Sequence, residues 1–227
     1  MITINNLSFS YTRKPPYTLS NLNLKINKGD YISFVGENGS GKSTLVKLIL
    51  KILSPTIGEI DYKCSNIGYV PQRFENLNTQ FPITVKEIMN CYRKTLKIKD
   101  KSCIERYLTL VNMQDNKNSL IGNLSGGQCQ KIFIARALMG QPELLILDEP
   151  SNGVDQKSQD EIYSLIKNLN RNEAITVISV EHNIKAAISN STLIYHISNG
   201  NGHLCKPEDY IEEFVMSNTG GKIHASI

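Results

Sequence analysis

The segment Gly36-Glu37-Asn38-Gly39-Ser40-Gly41-Lys42-Ser43-Thr44 combines glycines, a lysine and hydroxyls at a spacing suited to holding phosphate. Without Cβ atoms, Gly36, Gly39 and Gly41 let successive backbone N–H groups turn inward and cradle phosphate oxygens. The positive end of a following helix would assist them. Asn38, Ser40 and Thr44 complete the cradle, Lys42 would reach the terminal phosphates, and Ser43 would ligate Mg²⁺. Further along, Asp148-Glu149 closes the apolar run Leu144-Leu145-Ile146-Leu147. Both carboxylates therefore emerge at the carboxyl edge of a sheet, where open α/β sheets bind ligands. Neighbouring strand residues point opposite ways, so the two acids take different roles. His182 follows a similar run, Val177-Ile178-Ser179-Val180. Leu124-Ser125-Gly126-Gly127-Gln128 opens a helix striped with Ile132, Ala135 and Leu138. Bare glycine amides at a helix N-terminus suit an anion.

These residues need a scaffold, and the apolar pattern supplies one. Ile2, Ile4, Leu7 and Phe9, then Leu22, Leu24 and Ile26, alternate as half-buried strands on either side of a turn holding Pro15-Pro16. They predict an antiparallel flap. Tyr31 to Val35 is a short strand running into the glycine loop, and Leu45, Leu48, Ile49 and Ile52 recur at helical spacing after it. Strand, loop and helix form the context a phosphate loop requires. Another strand begins at Ile67, and from Gln72 to about Gln141 helical patterns take over, at 85–92, 102–111 and 127–139. Strands return at 144–147 and 175–178 around a helix of about 156–169. The expected fold is α/β, with a mainly parallel sheet covered on both faces, an antiparallel flap and an inserted helical subdomain. The core would take about 1–72 and 141–227, the helical subdomain about 73–140.

The 227 residues suit one such domain, and a net charge of +4 does not by itself imply nucleic acid. No apolar run approaches the roughly 20 residues of a membrane span, and the first residues lack the pattern of a signal peptide. A cytosolic protein is expected, with its five scattered cysteines reduced. His196, His203 and Cys205 lie close in sequence, but no second cluster completes a metal ligand set. Basic residues concentrate from Arg93 to Lys101. They read as a solvated helix face and loop, with contact to acidic lipid headgroups as the alternative. The tail after Glu213, with Gly220-Gly221, reads as loosely held.

Taken in order, the loop at 36–44, Leu124–Gln128, Asp148-Glu149 and His182 resemble the ATP-binding-cassette (ABC) ATPases over nearly all of the chain. The resemblance implies a P-loop NTPase core of RecA-like type, with ATP and Mg²⁺ as ligands. Asp148 would stand on the Mg²⁺ side, and Glu149 would polarise the attacking water. His182 would sit beside the γ-phosphate. Gln72, in Tyr69-Val70-Pro71-Gln72, matches the glutamine that touches Mg²⁺ and passes movement to the helical subdomain. Tyr11 matches the aromatic that stacks on adenine, and could equally be a packed strand residue. Ser125, Gly126, Gly127 and Gln128 would contact nucleotide held by a second copy, across a seam also crossed by Ser151 to Asp155. The chain departs from the family at Glu181 and Asn183, where relatives carry Ser and Asp, and at Val154, where Leu is commoner.

A homodimer of ATPase domains on transmembrane permease subunits is thus implied, at the cytoplasmic face of the membrane and served indirectly by an extracytoplasmic substrate-binding protein. Nucleic acid is not among the implied partners. The groove from Arg73 to Tyr92, with Phe74 and Phe81, would receive the permease. Ile67–Gln72, Phe81–Val85 and Gly153–Asp155 look like the zinc/manganese-type importer ATPases, and the chain stops without the regulatory domain of many sugar-importer relatives. Another importer or exporter, or a soluble non-transport ABC ATPase, remains the alternative.

Overall fold

The computed structural model describes residues 1–72 and 82–216, with backbone alone for 214–216. Phe74, Phe81 and the tail from 217 onward lie outside the described residues. In chain order come β1 (Ile2–Phe9), β2 (Leu19–Ile26), β3 (Tyr31–Val35), α1 (Lys42–Ile49), β4 (Ile57–Tyr62) and β5 (Ile67–Val70). Next are α2 (Val85–Thr95), α3 (Cys103–Leu110), α4 (Gly126–Leu138), β6 (Leu144–Asp148) and α5 (Gln156–Asn172). The last are β7 (Thr176–Val180), α6 (Ile184–Asn190), β8 (Leu193–Ser198), β9 (Asn201–Cys205) and α7 (Pro207–Tyr210). The chain divides into two compact units, residues 1–63 with 178–227, and residues 64–177.

In the first unit β2, β1 and β4 form an antiparallel sheet in that order. The apolar spacing of β1 slips by one between Ile4 and Leu7, and the register shows how the chain absorbs it. β1 spends three residues from Ile4 to Leu7 while β2 spends two from Leu24 to Leu22. β2 then spends the extra one, from Leu22 to Leu19 against Leu7 to Phe9. Asn6 (φ 47°) and Asn21 (φ 50°) adopt the left-handed conformation that asparagine tolerates. These paired bulges keep Ile2, Ile4, Leu7 and Phe9 on one buried face with Leu19, Leu22, Leu24 and Ile26.

The second sheet has the strand order β5-β6-β7-β3-β8-β9. β3 runs parallel to β8, and β8 antiparallel to β9. In the second unit β5 runs parallel to β6. Every residue of β3, β6 and β7 is buried, as the continuous apolar runs predict for strands covered on both faces. The helical stretch of this unit forms as α2, α3 and α4. Thr84 starts α2 with a capping box, its hydroxyl accepting from Glu87 N while Glu87 accepts from Thr84 N. Helix α6 was not expected. It begins where the Asn183 side chain accepts from Ala186 N at 3.2 Å, taking the N-cap role an aspartate would fill.

Candidate nucleotide site

In the first unit, β3 delivers the chain into the glycine loop and α1 leaves it. Two glycines there are obligatory. A Cβ on Gly36 (φ 149°) would lie 2.1 Å from Ile197 O, and one on Gly41 (φ 105°) 2.5 Å from Leu19 Cδ2. Gly41 is the N-cap of α1, and no side chain caps that helix. The amides of its first turn have no intrahelical partner, so the helix start is open to an anion. Ser40 Oγ is buried and takes no hydrogen bond among the described residues, a polar atom left over inside the cradle. Lys42 is buried, and its Nζ donates to Gly36 O at 2.7 Å and Glu37 O at 2.9 Å. Ser43 is exposed. A recess of about 290 Å³ is lined by Tyr17, Thr18 and Glu37–Ser40 with 198–200.

Tyr11 lies beyond the end of β1 and is 63% exposed, so it is not a packed strand residue. Its hydroxyl shares a 3.2 Å hydrogen bond with Thr44 Oγ1, and its ring meets Phe9 edge-to-face at 4.9 Å. A flat aromatic face is thereby tethered to the last residue of the glycine loop. His182, exposed, stands between β7 and α6. Behind it the buried Glu181 accepts from Ser179 Oγ, and Glu181 N donates to Phe34 O at 2.9 Å. His196 and His203 face each other across β8 and β9. Burial first, and His203 next, hold the His196 imidazole below its usual range, against the opposing pull of Glu37. Among the described residues no group of three His, Cys, Asp or Glu side chains is placed to hold a metal ion.

In the second unit Asp148 ends β6 and is buried, and Tyr69 Oη donates to its Oδ2 at 3.3 Å. Burial, and then the Asp148 charge, push the Tyr69 hydroxyl up to about 12. Glu149 departs from the strand-end expectation, because β6 stops before it and its backbone is left-handed, φ 51°. Its different direction comes from that turn and not from strand alternation. A non-glycine residue held there is strained, a pattern that clusters at functional sites. Glu149 Oε2 accepts from Gln72 Nε2 at 2.5 Å and from Asn152 Nδ2 at 2.7 Å.

The Leu124–Gln128 segment caps itself. Ser125 Oγ accepts from Gln128 N at 3.2 Å, and Ser125 N donates to Gln128 Oε1 at 3.0 Å. Gly126 is exposed, with its nearest prospective Cβ neighbour, Gly153 O, at 3.8 Å. Gly127 is buried, and a Cβ there would sit 2.6 Å from Ser158 Cβ and 3.3 Å from Val154 Cγ1. The turn at 151–155 therefore packs on the start of α4, and the Asp155 side chain caps α5 by accepting from Ser158 N at 3.1 Å.

Sequence reasoning passed over Tyr69 and gave Asn152 no role of its own. Tyr69 was findable from its place beside Val70 in a strand parallel to β6. Asn152 sits three residues past Glu149, at the spacing of a turn, and its backbone N donates to Glu149 O at 3.2 Å.

A glycine cradle between a buried strand and an uncapped helix, in an α/β fold with a mostly parallel sheet, defines a P-loop nucleotide-binding protein. The chain matches the ABC transporter family over residues 19–152. It is 49% identical over 215 residues to a "Probable metal transport system ATP-binding protein" of Treponema pallidum (strain Nichols), covering 94% of this chain and 90% of that one. It is 40% identical to the zinc uptake system ATP-binding protein ZurA of Listeria innocua serovar 6a, covering 87% and 81%. Among solved structures it resembles the dimeric ATP-binding cassette MJ0796 in a post-hydrolysis state bound to ADP and Pi. That match has a TM-score of 0.74 at 27% identity over 91% of this chain and 99% of that one. The chain belongs to the ABC transporter family and is an ATP-binding, ATP-hydrolysing subunit of that family. ABC ATPase domains dimerise and serve transporter systems that include permeases. No helix among the described residues is long and apolar enough to cross a membrane.

Proposed function

We propose that this chain is the ATPase subunit of an importer of a divalent metal ion, zinc or manganese, held at the cytoplasmic face of the cell membrane by permease subunits. For the ATPase the carrying observation is the uncapped α1 beneath a cradle whose Ser40 hydroxyl takes no hydrogen bond among the described residues. For the cargo it is the identity to proteins named for metal transport and zinc uptake. Two copies would sandwich two ATP molecules. Gly36, Asn38, Gly39, Ser40, Gly41 and Thr44 would hold the phosphates, and Tyr11 the adenine. Lys42 would leave the loop carbonyls for the terminal phosphates. Ser125, Gly126, Gly127 and Gln128 would serve the nucleotide of the other copy. The division into a core of about 1–72 and 141–227 and a helical subdomain of about 73–140 is part of the same reading.

The oxygen donors Ser43, Asp148 and Gln72 fit Mg²⁺, a hard cation that takes one or two carboxylates beside substrate phosphates. When bound it neutralises charge on the β- and γ-phosphates. Glu149 would polarise the attacking water, with Gln72 and Asn152 aiming its carboxylate, and His182 would face the γ-phosphate. Loss of the γ-phosphate would let the closed dimer reopen, which makes ATP the ligand that biases a two-state element. An extracytoplasmic binding protein would bring the metal to the permease.

A deletion strain grown under zinc or manganese depletion tests the cargo. Wild-type protein should restore uptake of one of these metals and Glu149→Gln should not, and the tagged chain should co-purify with a multispan permease. Uptake of both metals unchanged by the deletion would overturn the import assignment.

A further inference from the structure

The connector between α2 and α3 segregates its charges. Arg93 is buried, with Nε donating to Asn90 Oδ1 at 3.0 Å and Nη1 donating to Ile98 O and, at 3.4 Å, to Lys99 O. Lys97 turns the chain with φ 56°, and Ile98 N donates back to Arg93 O at 3.0 Å. The connector is thus pinned by Arg93 of α2, while Lys94 in the last turn of α2 and Lys97, Lys99 and Lys101 in the connector are all exposed. Asp100 is the single acid in this stretch, and hydrogen bonds from Ser102 hold its carboxyl below the usual range. The next acid, Glu105, is paired with Lys117. Among the described residues none of the four lysines forms an ion pair. Leu96, in the middle of them, is 37% exposed.

We propose that the last turn of α2 from Lys94 and the connector through Lys101 form a docking surface for an anionic membrane, the lysines set against lipid phosphates and Leu96 against the acyl boundary. A fixed loop loses little conformational freedom on docking, and lysine stems lie along apolar surface while their ammonium groups stay wet. An aliphatic residue at the centre fits a bilayer better than a nucleic acid, which would call for an aromatic to stack on bases. From 94 to 101 there is no aromatic residue. The inference draws on the proposed function only in placing the protein beside a membrane.

Each lysine near an anionic surface strengthens binding by about fivefold at low salt, and the effect fades within a Debye length. The full chain is sedimented with phosphatidylcholine vesicles with and without phosphatidylglycerol. Binding should require phosphatidylglycerol and fall as salt rises. Replacing Lys94, Lys97, Lys99 and Lys101 together by Gln should weaken it by roughly a hundredfold or more, with ATP turnover unchanged. Replacing exposed Lys25, Lys28, Lys63 and Lys185 by Gln removes the same charge elsewhere and should cost less than about tenfold. Three results would each overturn the proposal: no dependence on phosphatidylglycerol, equal losses in the two variants, or tighter connector-dependent binding to duplex DNA than to vesicles. None of them touches metal uptake or ATPase activity, so failure here and failure of the import assignment are distinguishable.

Discussion

Among the described residues two helices start from glycine-rich turns, and they start differently. Helix α1 follows Gly41 with no side-chain cap, whereas α4 follows Ser125 and closes a reciprocal box with Gln128. Both starts carry the electrostatics of an anion site, because first-turn amides and the helix dipole act alike in each. Of the two, only α1 leaves its whole first turn uncapped and, among the described residues, a hydroxyl without a hydrogen bond, while its buried lysine is held by Gly36 O and Glu37 O. In α4 a part of that demand is met internally, and Gly127 is required by packing against Ser158. Under the proposed function the first would be the primary phosphate cradle, and the second a presenting edge with Ser125 and Gly126 exposed, Gln128 half-buried and Gly127 buried behind them.

The sharpest way to break this contrast is to disable each side separately. Lys42→Ala and Ser125→Arg should each lower ATP turnover by about a hundredfold or more, the scale of losing positioned transition-state stabilisation. Mixed together, the two chains should form heterodimers with one intact composite site and regain a measurable fraction of activity. Full activity in either variant alone would end the idea of a shared site. Glu149→Gln should match this loss while retaining ATP binding, and gel filtration with ATP should show an accumulated dimer.

The glycines at the start of α4 give a finer cut. Gly127→Ala places a methyl group 2.6 Å from Ser158 Cβ, so overpacking should cost about 1–3 kcal/mol and lower the melting temperature by several degrees. Pairing it with Ser158→Gly should recover most of that loss. Gly126→Ala meets nothing closer than 3.8 Å and should leave the melting temperature nearly unchanged while reducing ATP turnover. If the two substitutions behaved alike, the division between a packing glycine and a presenting glycine would be wrong. Ser125→Ala removes the cap itself and should cost about 1 kcal/mol, read in the same melting experiment.

Much of this was legible in the residues because strong local rules agree. The glycine spacing and the buried runs of β3, β6 and β7 follow from short-range patterns, whereas the Ser125–Gln128 box was not read from the sequence although its spacing is local. The bulges at Asn6 and Asn21 are partly legible, since the apolar spacing of β1 slips where the register does. Less visible was what depends on partners far apart in sequence. The hydrogen bond from Tyr69 to Asp148 spans 79 positions, and that from Gln72 to Glu149 spans 77. The left-handed turn at Glu149 also defeats a strand-alternation argument that holds through Asp148. Periodicity reports burial and cannot report which polar groups tertiary packing brings together.

The contrast extends to how each unit holds its chemical groups before any ligand arrives. Lys42 rests on carbonyls of its own loop, five and six residues away. Asp148 instead rests on Tyr69, whose hydroxyl is raised from 10.0 to about 12 by burial and by the Asp148 charge. A group with a raised folded value contributes stability fully below its unfolded value and loses it as the pH rises through the folded one. The window here is about pH 10 to about pH 12. Wild type should therefore lose stability faster than Tyr69→Phe across that window in urea unfolding, with the other tyrosines as a common background. At neutral pH the substitution should cost only about 1 kcal/mol, the net worth of one hydrogen bond. If Asp148 is used in turnover, the same variant should also lower ATP hydrolysis modestly without weakening ATP binding. Parallel unfolding curves for the two proteins from pH 10 to 12 would show that burial and the Asp148 charge do not together raise the Tyr69 hydroxyl.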